Sequence, residues 1–315
     1  MLKMYVTRHL YIAVLLLFGP VVLMATESRI PTQEGLLYGT AEGQPLTMDY
    51  YAPKGEGIHP IVIIIHGGGY HGGDSKSGSE AYVADFLAPA GFAVFSVNYR
   101  VAPKYPYPYM VLDVQRAVRY IRYNAKKWNG DPDKIALVGG SAGGFLSNMV
   151  GLLNAPGDPK AANPVERESA KAQAVVSLFA QSSFEFVPLN ADVHRFLDPL
   201  IAQKGEKEAI REASPITYVT KDDPPFLQII GDQDEYIPVS ETVNLENALH
   251  KVGVSCETIV IRGGKHGTGG WNKIPGVPDW ERLMTEWLNR KLDHKGPIGE
   301  GIRPRVTAPM AGSRE

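Results

Sequence analysis

Six short apolar runs recur along the chain, each closed by Gly, Pro, Asn, Asp or a small residue: "PIVIIIHGGG", "GFAVFSVNY", "KIALVGGS", "AVVSLFA", "PPFLQIIGD" and "ETIVIRGG". Rich in Val and Ile and lacking polar alternation, such runs suit central strands covered on both faces. Between them lie apolar stripes at helical spacing. These are Val114, Ala117, Val118 and Ile121; then Leu146, Met149, Val150 and Leu153; then Leu245, Leu249 and Val252, with Gly253 as a C-terminal stop. Strand and helix in alternation predict an α/β fold with a mostly parallel central sheet and helices on both faces. "LTMDYYAP" alternates apolar and polar residues and reads as an earlier, partly exposed strand. Residues 181–213 break the rhythm and are expected to form a small cap insertion over the sheet edge. From Lys295 onward the chain is rich in Gly, Pro and charge, the composition of a disordered tail. One folded domain over 33–294 is the economical reading.

The N-terminal end differs from the rest. Lys3 and Arg8 precede the apolar run "LYIAVLLLFGPVVLMA", and a polar stretch follows Ala25. A basic head, an apolar stretch and a small residue before a plausible cut make residues 1–25 a secretory signal peptide, which implies a secreted or periplasmic protein. The rival is a membrane anchor, but the run falls short of the ~20 residues a spanning helix wants, and Gly19-Pro20 interrupts it. No stable membrane span is expected once the leader is removed. Cys256 is the only cysteine, so no intrachain disulfide is available, and it reads as a small apolar strand residue. The formal charge of -2, with acidic and basic residues intermixed, lacks the basic footprint of a nucleic-acid binder. A small-molecule or carbohydrate partner is the default, and the oligomeric state is left open.

The stretch "VGGSAGGF", Val138 to Phe145, fits G-x-S-x-G between the run "KIALV" and a helical stripe. A serine on such a strand-to-helix turn is lifted above the sheet in strained backbone, and small neighbours prevent clashes. The helix start sets the N–H of Ala142 beside a reacting carbonyl. A phosphate cradle is excluded, since no "GK[ST]" follows and the G-x-G-x-x-G register is absent.

Three further signals make Ser141 a nucleophile candidate. "HGGGYHGG" follows a buried strand, and consecutive glycines let backbone N–H groups approach a ligand closely. Gly68 and Gly69 are the candidate oxyanion donors, with Gly67 a third; His66 reads as a brace for the loop. "GDQDEYIP" leaves the end of a strand carrying Asp232, Asp234 and Glu235, any of which has the reach to orient an imidazole; spacing alone does not separate Asp232 from Asp234. Among the eight histidines, His266 lies in a glycine-rich loop just after "ETIVI" and is the candidate base, with His194 a weaker second. Tyr70, His71 and Trp271 flank these motifs and are candidate substrate contacts. Tyr105, Tyr107 and Tyr109 have the shape of sugar-contacting tips, but packing is the favoured role.

Together, "HGGGYHGG", "NYRVAPKYPYP", "GGSAGG", "ASPITYV", "GDQDEYIP" and "GGKHG", in this order, resemble the α/β-hydrolase superfamily. The resemblance covers roughly Leu46 to Leu292 and is strongest to hormone-sensitive-lipase-like and bacterial feruloyl- and acetyl-xylan-esterase-like carboxylesterases. It implies Ser141 as nucleophile, Asp234 rather than Asp232 as acid, His266 as base, and an oxyanion hole from the N–H groups of Gly68, Gly69 and Ala142. Lys104 stands where many lipase-like relatives carry Glu. Only 40 residues separate the expected cut from His66, which favours the short-capped carbohydrate-esterase branch.

The expected chemistry is therefore serine ester hydrolysis on short-chain acyl or carbohydrate esters through an acyl-enzyme, without metal or cofactor. An arylformamidase-like amidase on the same fold is the alternative. A peptidase of the prolyl-oligopeptidase type would need an N-terminal propeller that 40 residues do not supply. A non-catalytic ligand-binding or adhesion module on this fold is a further alternative, although such relatives typically lose one of the three side chains present here.

Overall fold

All six apolar runs become strands, five of them covered on both faces as expected. The run "ETIVI" is the exception, forming an edge strand whose Glu257 and Val260 are exposed because no further strand covers that side among the described residues. The computed structural model describes residues 30–78, 82–185 and 190–296. The expected leader and nearly all of the expected tail lie outside these residues. Within them, β3 (His59–Ile65), β4 (Ala93–Val97), β5 (Gly130–Gly140), β6 (Ala174–Leu178), β7 (Phe226–Gly231) and β8 (Cys256–Ile261) run parallel. Two antiparallel strands, β1 (Gln33–Ala41) and β2 (Gln44–Tyr51), extend one edge, giving the order β1-β2-β4-β3-β5-β6-β7-β8.

The pleat divides the core in two. On one face Ile61, Ile63 and Ile65 meet α2 (Tyr109–Asn124) and α3 (Ala142–Leu153) through Val114, Ala117, Leu146 and Met149. On the other, Val62 and Ile64 meet α1 (Val83–Leu87) and α7 (Trp280–Lys291) through Leu87, Trp280, Met284 and Trp287. A third cluster seats Leu245 and Leu249 of α6 (Val239–Lys251) on Val175 and Phe226. Cys256 belongs to it as a buried strand residue, its thiol pushed up to about 12 chiefly by burial. No helix among the described residues is long and apolar enough to cross a membrane.

β2 is less exposed than its alternation suggests: Met48 to Tyr51 are all buried. The reason is β1, an edge strand with no apolar run of its own, joined to β2 through Glu42 and Gly43, both at positive φ, as a two-residue hairpin loop requires. Asp49, buried as a result, accepts hydrogen bonds from the Ser75 hydroxyl and the Gly35 N–H, at 2.7 and 2.8 Å. The tyrosines after β4 pack, as favoured: Tyr105 and Tyr107 are buried, and the Arg100 guanidinium lies over the Tyr105 and Tyr109 rings.

Within 181–213 the described residues form α4 (Ala191–Lys204) and α5 (Glu206–Ala213). Val193, Phe196 and Leu197 of α4 join the core cluster of Phe145 and Phe184, and Phe196 stacks on Tyr70 at 4.5 Å. The loop that leads in from β6 is held by Glu241 at the start of α6. This wholly buried carboxylate accepts hydrogen bonds from the N–H groups of Ser182 and Ser183 and from the Ser182 hydroxyl, at 2.8–2.9 Å.

The turn between β5 and α3 is a tight junction. Ser141 sits at φ 54°, ψ −122°, a conformation that L-residues occupy only under constraint. Its N–H donates to the Leu178 carbonyl at 3.0 Å, and its carbonyl accepts from Phe145 N–H at 2.9 Å. Gly143, one turn on, lies so close to the end of β3 that a Cβ there would stand 2.0 Å from the Ile65 carbonyl oxygen. From the same strand end His66 turns inward, stacked on Tyr99 at 4.2 Å, with Nδ1 2.7 Å from the Gly67 carbonyl. The Tyr99 hydroxyl donates to the His66 carbonyl at 2.7 Å, so the histidine braces the glycine loop.

Two outcomes follow. Gly143→Ala forces backbone apart where no flexible side chain can yield, so a loss of at least about 1–3 kcal/mol is expected in urea unfolding; a variant as stable as the parent refutes the close approach. Burial lowers the His66 pKa below its usual 6.5, against the opposing pull of the Gly67 carbonyl and Asp74. The unfolded imidazole then takes up a proton that the folded one resists. Stability is therefore intact above 6.5 and falls as pH drops through the lower folded value. His294, lowered chiefly by burial as well, adds in the same direction. His66→Asn should flatten this acid limb in unfolding curves recorded between about pH 5 and 7.5; an unchanged slope removes His66 as its source.

Candidate active site

The candidate nucleophile, acid and base and the glycine loop sit just beyond the C-terminal ends of parallel strands, where an open α/β sheet leaves a crevice. Ser141 follows β5, Asp234 follows β7, His266 follows β8 and the glycine loop follows β3. Ser141 Oγ lies 3.0 Å from His266 Nε2. On the other side of the ring, Nδ1 lies 2.8 Å from Asp234 Oδ2 and 3.0 Å from Oδ1. With a carboxylate facing Nδ1, that nitrogen carries the proton, and Nε2 is left to accept from the serine hydroxyl.

Asp234 is prepared for this contact. Its side chain is fully buried, and Oδ1 also accepts the N–H groups of Tyr236 and Ile237, at 2.9 and 2.8 Å. The neighbouring acids point elsewhere: Asp232 accepts from Gly263 N–H at 2.7 Å, and Glu235 reaches only the His266 backbone N–H, at 3.5 Å. His194 is on the exposed side of α4, paired with Asp198 at 2.8 Å. The imidazole of His266 is held between two ring edges, Phe179 at 4.9 Å and Tyr236 at 5.0 Å.

Ser141 and His266 open into a cavity of about 660 Å³ that Gly67, Gly68 and Gly69 also line. Gly68 and Gly69 have positive φ, and the Gly68 carbonyl takes the N–H groups of His71 and Gly72, which curls the loop. Among the described residues no hydrogen bond uses the N–H of Gly68, Gly69 or Ala142, and Ala142 opens α3 directly after Ser141. No three His, Cys, Asp or Glu side chains gather as a metal centre would require, again among the described residues.

The three flanking candidates divide. His71 lines the cavity, half-exposed, with Nε2 3.0 Å from Asp192 Oδ1. Tyr70 also lines it, but its hydroxyl is committed to Gln181 Oε1, and burial raises its pKa far above the usual phenol range. Trp271 is a correction. It is buried under the His266 loop, edge-on to Phe179 and Trp280, and its indole N–H donates to the Lys265 carbonyl at 2.9 Å. It shapes the loop from below and does not reach the cavity wall, because the short 3-10 turn Thr268–Lys273 points it inward.

Sequence reasoning missed Phe179, Gln181, Asn190, Asp192 and Tyr236, all on the cavity wall. Phe179 and Gln181 close the run "AVVSLFAQ", and the end of a parallel strand is itself a signal for the crevice. Asn190 has the residue type of a helix N-cap and accepts from the N–H groups of Asp192 and Val193. Tyr236 carries no signal beyond its nearness to Asp234.

Comparison with known proteins supplies relatives. Esterase LipC of Mycobacterium tuberculosis is 36% identical over 203 residues, 62% of this chain and 49% of LipC. The acetylxylan esterase of Xylanibacter ruminicola is 29% identical over 212 residues, 66% of this chain and 41% of that enzyme. The chain thus spans less than half the length of these two relatives. Among solved structures, an acetyl ester-xyloside bifunctional hydrolase from Caldicellulosiruptor lactoaceticus superimposes with a TM-score of 0.74 at 28% identity, covering 83% of this chain and 97% of that one. A truncated carbohydrate esterase from gut microbiota gives 0.71 at 28%, covering 85% and 99%. The fold is that of the α/β-hydrolases, and since the BD-FAE profile matches residues 48–249, from β2 to the end of α6, the chain belongs to the BD-FAE family.

Proposed function

We propose that this protein is a serine carboxylic-ester hydrolase acting on short-chain acyl or carbohydrate esters. The observation that carries the reading is the continuous contact from Ser141 Oγ through His266 to the buried Asp234 carboxylate, at 3.0 and 2.8 Å, beneath a loop of three glycines. The names of its relatives, esterases and an acetylxylan esterase among them, support the ester as substrate.

In this mechanism His266 Nε2 takes the hydroxyl proton as Ser141 Oγ attacks the ester carbonyl carbon. Asp234 holds the imidazole in the Nδ1-protonated tautomer and stabilises the imidazolium that forms. The carbonyl oxygen, now an alkoxide, takes hydrogen bonds from the N–H groups of Gly68, Gly69 and Ala142; each such donor contributes about 3–4 kcal/mol to the transition state. The tetrahedral intermediate collapses and the C–O bond to the alcohol breaks, His266 returning its proton to the leaving oxygen. Water then attacks the acyl-serine with His266 as base again, and the acid leaves. The leader-like sequence at the N-terminus supports an exported enzyme as the setting for this chemistry.

Hydrolysis of p-nitrophenyl acetate, butyrate and octanoate, together with acetylated xylan, a feruloyl ester and an N-formyl arylamine, tests the proposal. Ser141→Ala should lose about 10³-fold or more of the activity, and Asp234→Asn about 10³–10⁴-fold through the wrong tautomer. Equal, slow turnover by parent and Ser141→Ala would sink the reading, and full activity in His266→Ala would move the base elsewhere. Preference for the N-formyl amide would favour an amidase.

A further inference from the structure

The cavity is far larger than an acetyl or butyryl group needs, and its size is that of sites that take whole small molecules. The wall therefore contacts more than the scissile ester. The rings of Phe179 and Tyr236 flank His266 in T-shaped contacts, Phe179 buried and Tyr236 two-thirds exposed at 67%. Opposite in character are the amides of Gln181 and Asn190 and one carboxylate, Asp192; among the described lining residues there is no lysine or arginine.

Asp192 is the second residue of α4, where the helix N-terminus favours a negative charge. The Asn190 side chain caps its N–H at 3.0 Å. One carboxylate oxygen, Oδ1, is held from two sides, by Arg195 Nη1 at 2.8 Å and His71 Nε2 at 3.0 Å. The other, Oδ2, accepts no hydrogen bond among the described residues and stands 3.2 Å from where a Cβ on Gly69 would be. A half-exposed carboxylate is thus fixed by one oxygen and presents the second over the loop that lines the nucleophile's cavity.

We propose that Asp192 is a specificity-determining residue: its Oδ2 accepts a hydrogen bond from a free hydroxyl of a polyol ester. The inference rests on the ester-hydrolase reading above. In an acetyl ester the acyl half has no hydroxyl, so the group that meets Asp192 belongs to the alcohol half. The exposed ring of Tyr236 gives the apolar face of a sugar ring a surface to lie on. Gln181 and Asn190 add neutral amides to the same wall.

The test measures kcat and KM for methyl β-xyloside monoacetate and for p-nitrophenyl acetate, which bears no hydroxyl, with the parent, Asp192→Asn and Asp192→Ala. A hydrogen bond to a charged group supports a drop of about tenfold or more in the monoacetate over p-nitrophenyl acetate ratio of kcat/KM for Asp192→Ala, carried by KM. Asp192→Asn, which keeps the size and one acceptor oxygen, should fall between. A ratio that stays constant, whether both rates fall or neither does, overturns the proposal; a joint fall would mean that Asp192 only steadies the loop through His71. A second arm follows methyl β-xyloside binding by ligand-observed NMR to Ser141→Ala and to Ser141→Ala with Asp192→Ala. It needs no turnover, so it still decides the role of Asp192 if the parent hydrolyses neither ester. Binding that survives the loss of Asp192 overturns the proposal.

Discussion

The rest of the structure depends on the approach of the first turn of α3 to the end of β3. Gly143 meets the Ile65 carbonyl at a distance that leaves no room for a Cβ, and Gly139 meets the Gly143 carbonyl in the same way. Three features are brought together by that contact: the strained serine at φ 54°, the helix N-terminus behind it and the glycine loop that leaves β3. None of them alone makes a site. The strain at Ser141 persists because its N–H is tied to β6, its carbonyl to α3, and the whole turn is packed between two buried strands.

Most polar groups buried around this junction are hydrogen-bonded, Oε1 of Glu241 and Oδ1 of Asn148 being without a partner among the described residues, and that pattern sets the chemistry. Asp234 loses its water but gains two backbone N–H groups and an imidazole, so its charge has a defined direction. Glu241 plays a comparable structural part at the start of α6, where it gathers the Ser182 and Ser183 backbone and so positions the loop after β6 that carries Gln181. Gln181 in turn ties the Tyr70 hydroxyl to the far wall of the cavity. The wall thus rests on two buried carboxylates that follow β7, Asp234 in its loop aimed at the imidazole and Glu241 at the start of α6 aimed at backbone.

Much of this is legible in the residues. Period and composition expose the parallel strands, since a strand covered on both faces must be apolar at every position, as β3 is from Pro60 to Ile65. The helical stripes are legible for the same reason: Val114, Ala117, Val118 and Ile121 are all fully buried. β1 is not, because an edge strand with solvent on one side carries no continuous run, and its hairpin signal is only the pair Glu42-Gly43. Trp271 illustrates a different limit. Sequence distance from His266 put it near the cavity, but the direction of a side chain in a short turn is decided by what it packs on, here Phe179 and Trp280.

The sequence by itself determined the alternation of strand and helix, the glycine-set serine turn and the loops that carry acid and histidine, because each is written in local spacing and residue type. Family resemblance chose Asp234 over Asp232, and the tertiary structure supplies the physical reason: of the two, only Asp234 faces the imidazole, while Asp232 is turned to Gly263. Tertiary structure alone decided what surrounds the serine. Phe179 and Gln181 follow β6, Asp192 opens α4 and Tyr236 follows β7, and no local pattern records that these three places meet at one crevice. Long-range packing of buried apolar faces sets that convergence, and with it the one carboxylate oxygen that stands over Gly69.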